Sequence, residues 1–123
     1  MKKQLSVLLV GVPEHLGDLC RDSGRVAVVH DLNSLAGAIE LVRGAKEHGK
    51  FDLIVTAEHL ADGSGMDLIR EAKKVDPEAS IVGLTTDPVM RELMEEGGCA
   101  SVGTYDFIRE LVAKQLRTLS RKK

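Results

Sequence analysis

The fold is decided by residues 51–69, which read Phe51-Asp-Leu-Ile-Val-Thr-Ala-Glu-His-Leu-Ala-Asp-Gly-Ser-Gly-Met-Asp-Leu-Ile69. The aliphatic run within residues 52–56 predicts a buried strand, and the amphipathic stretch after Gly65 predicts a helix. In open parallel sheets, functional groups gather at the carboxyl ends of the strands. This strand ends at Ala57, whose methyl group is neither acid, base, nucleophile nor metal ligand. The sequence therefore predicts a site position without a reactive group.

Composition narrows the class of protein. The 123 residues, with a net charge of -2, are expected to form one domain over residues 1–123. Both signs of charge are spread along the chain and aromatic residues are few, so we expect neither a nucleic acid nor a membrane as partner. Cys20 and Cys99 are far apart and form no CxxC pair, which favours two reduced thiols. The apolar run after Met1 is too short for a signal peptide, so we expect a cytoplasmic protein.

Five apolar runs alternate with amphipathic stretches along the whole chain. The predicted strands cover residues 5–10, 25–29, 52–56, 81–85 and 99–103. The predicted helices cover residues 13–23, a longer segment that ends at Gly49, residues 66–75, a segment from Pro88 to Gly97, and the stretch after Asp106. Strict alternation with short connections predicts an α/β, flavodoxin-like (βα)5 doubly wound sandwich, with a parallel five-stranded sheet of order 2-1-3-4-5.

Several helix starts carry recognisable capping residues. Asp87 followed by Pro88 is a strong start signal for the fourth helix. Asp31 or Asn33 is expected to cap the second helix, and Asp106 the last one. The apolar face of the last helix is predicted to hold Phe107, Ile108, Leu111, Val112, Leu116 and Leu119.

The carboxyl ends of strands one, three, four and five should converge on one rim. The residues there are Gly11-Val12, Ala57-Glu58, Thr85-Thr86 and Thr104-Tyr105. Further features are the strand sequence Asp52-Leu-Ile-Val, the spacing Ala57-x-x-Leu60-Ala61-x-x-x-Gly65, Leu84-Thr85 and Gly98-Cys99. With these features the chain resembles the receiver domain of response regulators, the CheY-like family of two-component signalling and phosphorelay.

The resemblance implies a phosphorylation site whose chemistry is missing. The family's phosphoacceptor aspartate falls on Ala57, and its Mg²⁺-binding acidic pair falls on Gly11 and Val12. Its lysine falls on Tyr105, and its switch aromatic in strand five falls on Val102. Only the hydroxyl residue that ends strand four is kept, as Thr85. The resemblance thus implies a degenerate pseudo-receiver that is not an enzyme and holds no metal or cofactor.

Other residues offer alternatives to that interpretation. Glu58 or Asp62 could replace the lost acceptor, although a solvated loop acid is the plainer interpretation. A metal site from His15, His59 and Glu58 is conceivable but lacks motif spacing. A small-ligand binder of flavodoxin-like type could also use the vacated rim.

Two glycine- and threonine-containing segments admit a phosphate-binding interpretation. Gly63-Ser-Gly65 could cradle phosphate, but it predicts a turn and helix start more readily. The run from Thr85 to Pro88 could receive an anion at a helix N-terminus, yet Asp87 already places a negative charge there.

A partner surface is implied by the same resemblance, on helix four, strand five and helix five. It would include Met90, Leu93, Met94, Ile108 and Arg109, and would bind a signalling protein or a second copy of the chain. The alternative is that at least two of Met90, Leu93 and Met94 pack on the sheet.

Two further expectations concern the backbone. The family's lysine is normally followed by proline in a cis bond, whereas Tyr105 is followed by Asp106, for which a trans bond and a re-routed loop are expected. Asp52 begins strand three and is expected at the opposite edge of the sheet, near a helix end.

Overall fold

A computed structural model of the chain describes residues 4–44 and 50–121. Its main sheet contains β1 (Leu5–Val10), β2 (Val26–Leu32), β3 (Leu53–Ala57), β6 (Ser80–Leu84) and β7 (Ser101–Gly103), while β4 (His59–Leu60) and β5 (Gly63–Ser64) form a small hairpin. The helices among these residues are α1 (His15–Asp22), α2 (Leu35–Arg43), α3 (Gly65–Val75), α4 (Pro88–Glu96) and α5 (Ile108–Ser120).

The main sheet is parallel, in the order β2-β1-β3-β6-β7. Because the hairpin stands apart from it, this is the predicted order 2-1-3-4-5 of the five sheet strands, and the flavodoxin-like α/β fold is confirmed. Two of the three interior strands, β1 and β3, are almost wholly buried, as their continuous aliphatic sequences predict. β3 lies between β1 and β6, so its end at Ala57 occupies the middle of the carboxyl edge.

Alternate residues of each strand supply two separate cores. Leu9 and Val55 pack with α1 and α5 on one face, whereas Val10 and Ile54 pack with α2, α3 and α4 on the other. This division follows from the period of two in a strand, which sends neighbouring side chains to opposite faces. Leu60, in the hairpin, contacts both cores.

The predicted cap of α4 is confirmed and that of α2 is wrong. The Asp87 carboxylate accepts a hydrogen bond from the Val89 amide at 2.9 Å, and Pro88 is the first helical residue. Ser34, rather than Asp31 or Asn33, caps α2, with its hydroxyl accepting from the Gly37 amide at 3.1 Å. The reason is that β2 continues to Leu32, so Asp31 still belongs to the strand. The predicted end at Gly49 lies outside the described residues.

The start of α5 is also corrected. Asp106 is not its cap, because residues 105–107 form a turn in which the Thr104 carbonyl accepts from the Phe107 and Ile108 amides at 3.1 and 2.9 Å. Phe107 is exposed rather than part of the helix's buried face. The Tyr105–Asp106 bond is trans, as expected.

Other sequence expectations are met at the edges of the fold. Asp52 lies at the amino edge of β3, where its carboxylate accepts from the Ser6 amide at 2.9 Å, and it shares a groove with Leu119 near the end of α5. Cys20 and Cys99 are free thiols. Within residues 4–44 and 50–121, no helix combines the length and apolar character needed to cross a membrane.

Candidate functional site at the carboxyl edge of the sheet

The tip of the central strand is an enclosed position. Ala57 is buried, and the backbone around it is tied on both sides. The Glu58 amide donates to the Leu84 carbonyl at 2.9 Å, and the Gly65 amide donates to the Glu58 carbonyl at 2.8 Å. The residue at the predicted acceptor position therefore presents only a methyl group, inside a fixed backbone frame.

The side chain of Leu60 lies over Gly11 and close to Ala57. A Cβ placed on Gly11 would stand 2.6 Å from Leu60 Cδ2 and 3.5 Å from the Ala57 Cβ. Gly11 also has a φ of +67°, a conformation that favours glycine. An acidic side chain at Gly11 would thus meet backbone strain, and the tip of the Leu60 side chain would have to move aside. Leu60 therefore places an aliphatic side chain in this part of the rim.

Gly65 is required by the close approach of the helix start to the strand end. Any Cβ on Gly65 would collide with the carbonyl oxygen of Ala57. The Ser64 hydroxyl accepts from the Met66 amide at 3.1 Å and caps α3. Gly63-Ser-Gly65 therefore forms a turn and helix start, as the sequence favoured.

Glu58 differs from the solvated loop acid that the sequence favoured. Its side chain is only 12% exposed. Oε2 accepts a hydrogen bond from Thr85 Oγ1 at 3.2 Å and lies 3.3 Å from Nε2 of the exposed His59. Thr85, 6% exposed, in turn accepts from the Asp87 amide at 3.1 Å. Thr85, the one hydroxyl residue that the resemblance retains, thus has an acidic partner. Sequence reasoning missed this contact because the direction of the Glu58 side chain depends on residues that are distant in the sequence.

Asp62 is bound to another element. Its carboxylate accepts from the Leu35 amide at 2.6 Å and the Ala36 amide at 3.0 Å, and lies 3.4 Å from the Ser34 hydroxyl. Hydrogen bonds from the backbone amides of Ala36 and Leu35 hold the pKa of this carboxyl below its usual value. Asp62 therefore fastens the hairpin to the start of α2 and is not turned to Ala57.

The residues present do not fit a Mg²⁺ ion. Magnesium requires oxygen ligands, and the side chains of Gly11, Val12 and Ala57 provide none. The three-residue alternative is not assembled either, because His15 Nδ1 lies 3.2 Å from Arg109 Nη1 while His59 accompanies Glu58. Among the residues that the structure describes, no three His, Cys, Asp or Glu side chains are grouped for metal binding.

At the end of β7, the position of the family's lysine also lacks a positive charge that could bind phosphate. Tyr105 is exposed in the turn after β7, and Val102 is buried within the strand. Neither side chain is a cation, so the positions of the family's lysine and switch aromatic hold an uncharged phenol and an aliphatic group. Asp87 caps α4 with a carboxylate, which disfavours an anion at that helix start.

An open groove, which Gly11 helps to line, lies at the carboxyl ends of β1 and β2. It is lined by Gly11, Val12, Pro13, Glu14, Asp31, Leu32 and Asn33. Burial raises the pKa of Asp31, Arg21 opposes that shift and Glu14 adds to it. Both ionisable groups in the lining are acids, so the groove disfavours phosphate-bearing ligands such as nucleotides and flavins.

The predicted partner surface must be partly corrected. Met94 and Ile108 have no exposed surface and belong to the two cores, so they cannot contact a partner. Leu93 and Arg109 are exposed, and Met90 is partly buried. Sequence reasoning missed three exposed apolar residues nearby, which are Val89, Tyr105 and Phe107. The four-residue spacing of Val89 and Leu93 on one helix face could have revealed the first of them.

Comparison with solved structures places this fold among receiver domains. The chain is similar to the signal receiver domain of NarL from Mycobacterium tuberculosis, with a TM-score of 0.78, 16% identity, and coverage of 98% of this chain and 99% of that chain. It is also similar to the beryllofluoride-activated NtrC4 receiver domain dimer, with a TM-score of 0.77, 17% identity, and coverage of 94% and 95%. For the BeF3-activated DrrB receiver domain, the TM-score is 0.71 at 17% identity, with coverage of 97% and 99%.

At these identities the likeness establishes the fold alone. No protein-family profile matches the sequence. No curated protein matches it either. The chain therefore has the receiver-domain fold, and its activity must be argued from its own residues.

Proposed function

We propose that this chain is a pseudo-receiver domain of two-component-type signalling, which is not phosphorylated and acts by binding another protein. The observation that carries the proposal is the chemistry of the side chains at the carboxyl edge of the sheet. Gly11, Val12 and Ala57 supply no carboxylate, and Tyr105 supplies no positive charge. Phosphoryl transfer depends on positioning and on cations that offset the developing charge. These residues supply neither a phosphate acceptor nor the cations.

The proposed partner surface comprises the exposed side chains of α4 and of the turn between β7 and α5. Four large apolar residues are exposed here, namely Val89, Leu93, Tyr105 and Phe107. Val89 and Leu93 lie four residues apart on one face of α4, and Tyr105 and Phe107 lie in the same turn. Neighbouring exposed apolar side chains of this kind mark protein interaction sites more often than scattered ones do. The Arg91–Glu95 pair on α4, 3.6 Å apart, would form part of its polar rim, whereas Arg109 contacts His15 of α1. The partner is a signalling protein or a second copy of the chain.

Beryllofluoride with Mg²⁺ tests the phosphorylation half of the proposal. This reagent imitates a phosphoryl group on an aspartate, so backbone NMR shifts should not change at Ala57, Glu58 or Thr85. A receiver domain with an intact acidic site serves as the positive control. Localised shifts at these residues would contradict the proposal. They would favour the alternative in which Glu58 is an unconventional acceptor, provided that Glu58→Gln abolished them.

Two substitutions that introduce a charge at equally exposed positions test the binding half of the proposal. Leu93 and Val28 are each 44% exposed, but Leu93 lies on α4 and Val28 on the distant edge strand β2. Leu93→Glu should weaken self-association, measured by sedimentation, or capture of a signalling partner, measured with the purified partner. Val28→Glu should leave both unchanged. Equal effects of the two substitutions, or an effect of Val28→Glu alone, would contradict the proposed surface.

A further inference from the structure

The carboxylate of Glu58 is joined to the first turn of α4 by a continuous chain of hydrogen bonds. Thr85 Oγ1 donates its proton to Glu58 Oε2 at 3.2 Å and accepts the Asp87 amide proton at 3.1 Å. Asp87 then accepts from the Val89 amide at 2.9 Å through Oδ1. A threonine hydroxyl has a single proton to donate, so donation to Glu58 directs its lone pairs to the Asp87 amide.

We propose that Glu58 is a positioning residue that holds α4, and with it the proposed partner surface, in one fixed arrangement through Thr85. This inference rests on the proposed function for its biological meaning, though not for its test. The chain's own carboxylate takes the hydroxyl proton of Thr85, so no added phosphate is needed to set the start of α4.

The surroundings favour a lasting contact. Glu58 and Thr85 are 12% and 6% exposed, so water competes little for their hydrogen bond. A bond to an ionised acceptor is stronger than a neutral one. The ionisable groups near it are His59 on its own loop, 3.3 Å away, and Asp87 at the start of α4.

The backbone keeps the two residues in register. The Glu58 amide is bonded to the Leu84 carbonyl at 2.9 Å, immediately before Thr85, and the Thr85 amide is bonded to the Gly103 carbonyl at 3.0 Å. Glu58 and Thr85 therefore meet across adjacent strands of a rigid sheet. The strands thus hold the Thr85 hydroxyl within hydrogen-bond distance of both the Glu58 carboxylate and the Asp87 amide.

Hydrogen exchange at the start of α4 tests the proposal in the isolated chain of 123 residues. Thr85→Val removes the hydroxyl at nearly constant volume, and Glu58→Ala removes the carboxylate. Each should speed exchange of the Asp87 and Val89 amides about fivefold, the factor expected for one net hydrogen bond. The double variant should be no faster than either single variant, because both remove the same link.

Conservative variants separate positioning from a general loss of structure. Thr85→Ser keeps the hydroxyl and Glu58→Gln keeps an acceptor, so both should retain most of the protection at Asp87 and Val89. Unchanged exchange in Glu58→Ala and Thr85→Val would overturn the proposal. So would equal loss of protection in Thr85→Ser, or additive effects in the double variant. Since no partner is present, these outcomes are independent of whether the proposed binding function holds.

Discussion

Leu60 Cδ2 lies only 2.6 Å from the point where a Cβ on Gly11 would stand, so these two residues are fitted to each other across the rim. Gly24 has nearly the same backbone conformation, with φ of +73° against +67° for Gly11, but nothing lies within 4 Å of its Cβ position. The two glycines therefore separate the backbone contribution to stability from the contribution of packing.

The first prediction compares alanine at these glycines. Gly24→Ala should lower the free energy of unfolding by about 1–2 kcal/mol, the strain of a left-handed conformation. Gly11→Ala should cost a similar amount, with less than about 1 kcal/mol added, because only the Cδ2 tip of the half-buried Leu60 side chain has to move aside. Urea denaturation measures both values. Adding Leu60→Ala should erase any excess at Gly11. A loss of stability at Gly11 that exceeded the loss at Gly24 by several kcal/mol would contradict a Leu60 side chain that can move aside.

The second prediction concerns the approach of α3 to the strand end. Gly65→Ala should destabilise the chain by more than about 3 kcal/mol, since the methyl group collides with the backbone carbonyl of Ala57, which cannot rotate away. Gly37→Ala, within α2, is the matched control. Alanine is the better helix former, and the nearest atom is Leu32 Cδ1 at 3.3 Å, so its effect should stay below about 1 kcal/mol. Thermal unfolding checks the pair, and a tolerated Gly65→Ala would contradict the predicted collision.

The third prediction is a pH dependence carried by Asp62. Its pKa is lower in the folded chain than in the unfolded one, so the folded state binds fewer protons. The stabilisation is fully present above the unfolded value of about 4, and it is lost as the pH falls through the folded value. The difference in unfolding free energy between the natural chain and Asp62→Asn should therefore be largest at neutral pH and shrink in acid.

Asp106→Asn is the control for that pH series. Asp106 is also an exposed aspartate near a helix start, but α5 receives no side-chain cap, so this variant is the matched control for an Asp-to-Asn substitution without the hydrogen bonds that Asp62 accepts. A difference for Asp62→Asn that stays constant from neutral pH down to acid would contradict the hydrogen bonds of the Asp62 carboxylate to the start of α2.

The fourth prediction concerns the thiols. Burial raises the pKa of Cys20 to about 11 and that of Cys99 to about 12. Because the thiolate is the reactive form, alkylation near pH 8 should be at least about tenfold slower in the folded chain than in urea. Mass spectrometry after timed iodoacetamide treatment measures this. Rapid modification of the folded chain would mean that the thiols are more exposed than described.

The sequence predicts those features that depend only on residues close together in the chain. Continuous aliphatic runs predict the buried strands, and Asp87 with Pro88 predicts the start of α4. Each of these signals lies within a few consecutive residues. Asp31 was mistaken for a cap because the length of an edge strand such as β2 is not marked by a sharp change of residue type.

The side-chain contacts at the carboxyl edge of the sheet could not be predicted in the same way. Leu60 meets Gly11, and Asp62 meets Leu35, only after the sheet and hairpin have brought distant segments together. The partners of Glu58 likewise depend on the direction of its side chain. The substitutions at Gly11, Val12, Ala57 and Tyr105 could be recognised through the resemblance, whereas the aliphatic group that fills the space required the structure.

The most direct test of the claim that this chain is not phosphorylated is an intact-mass measurement after incubation with acetyl phosphate and Mg²⁺. A receiver domain that carries its phosphoacceptor aspartate is measured beside it as the control. We predict an unchanged mass for this chain and addition of one phosphoryl group to the control. A phosphoryl adduct on this chain, mapped to Glu58 or to any residue of the rim and absent after its substitution, would contradict the central claim.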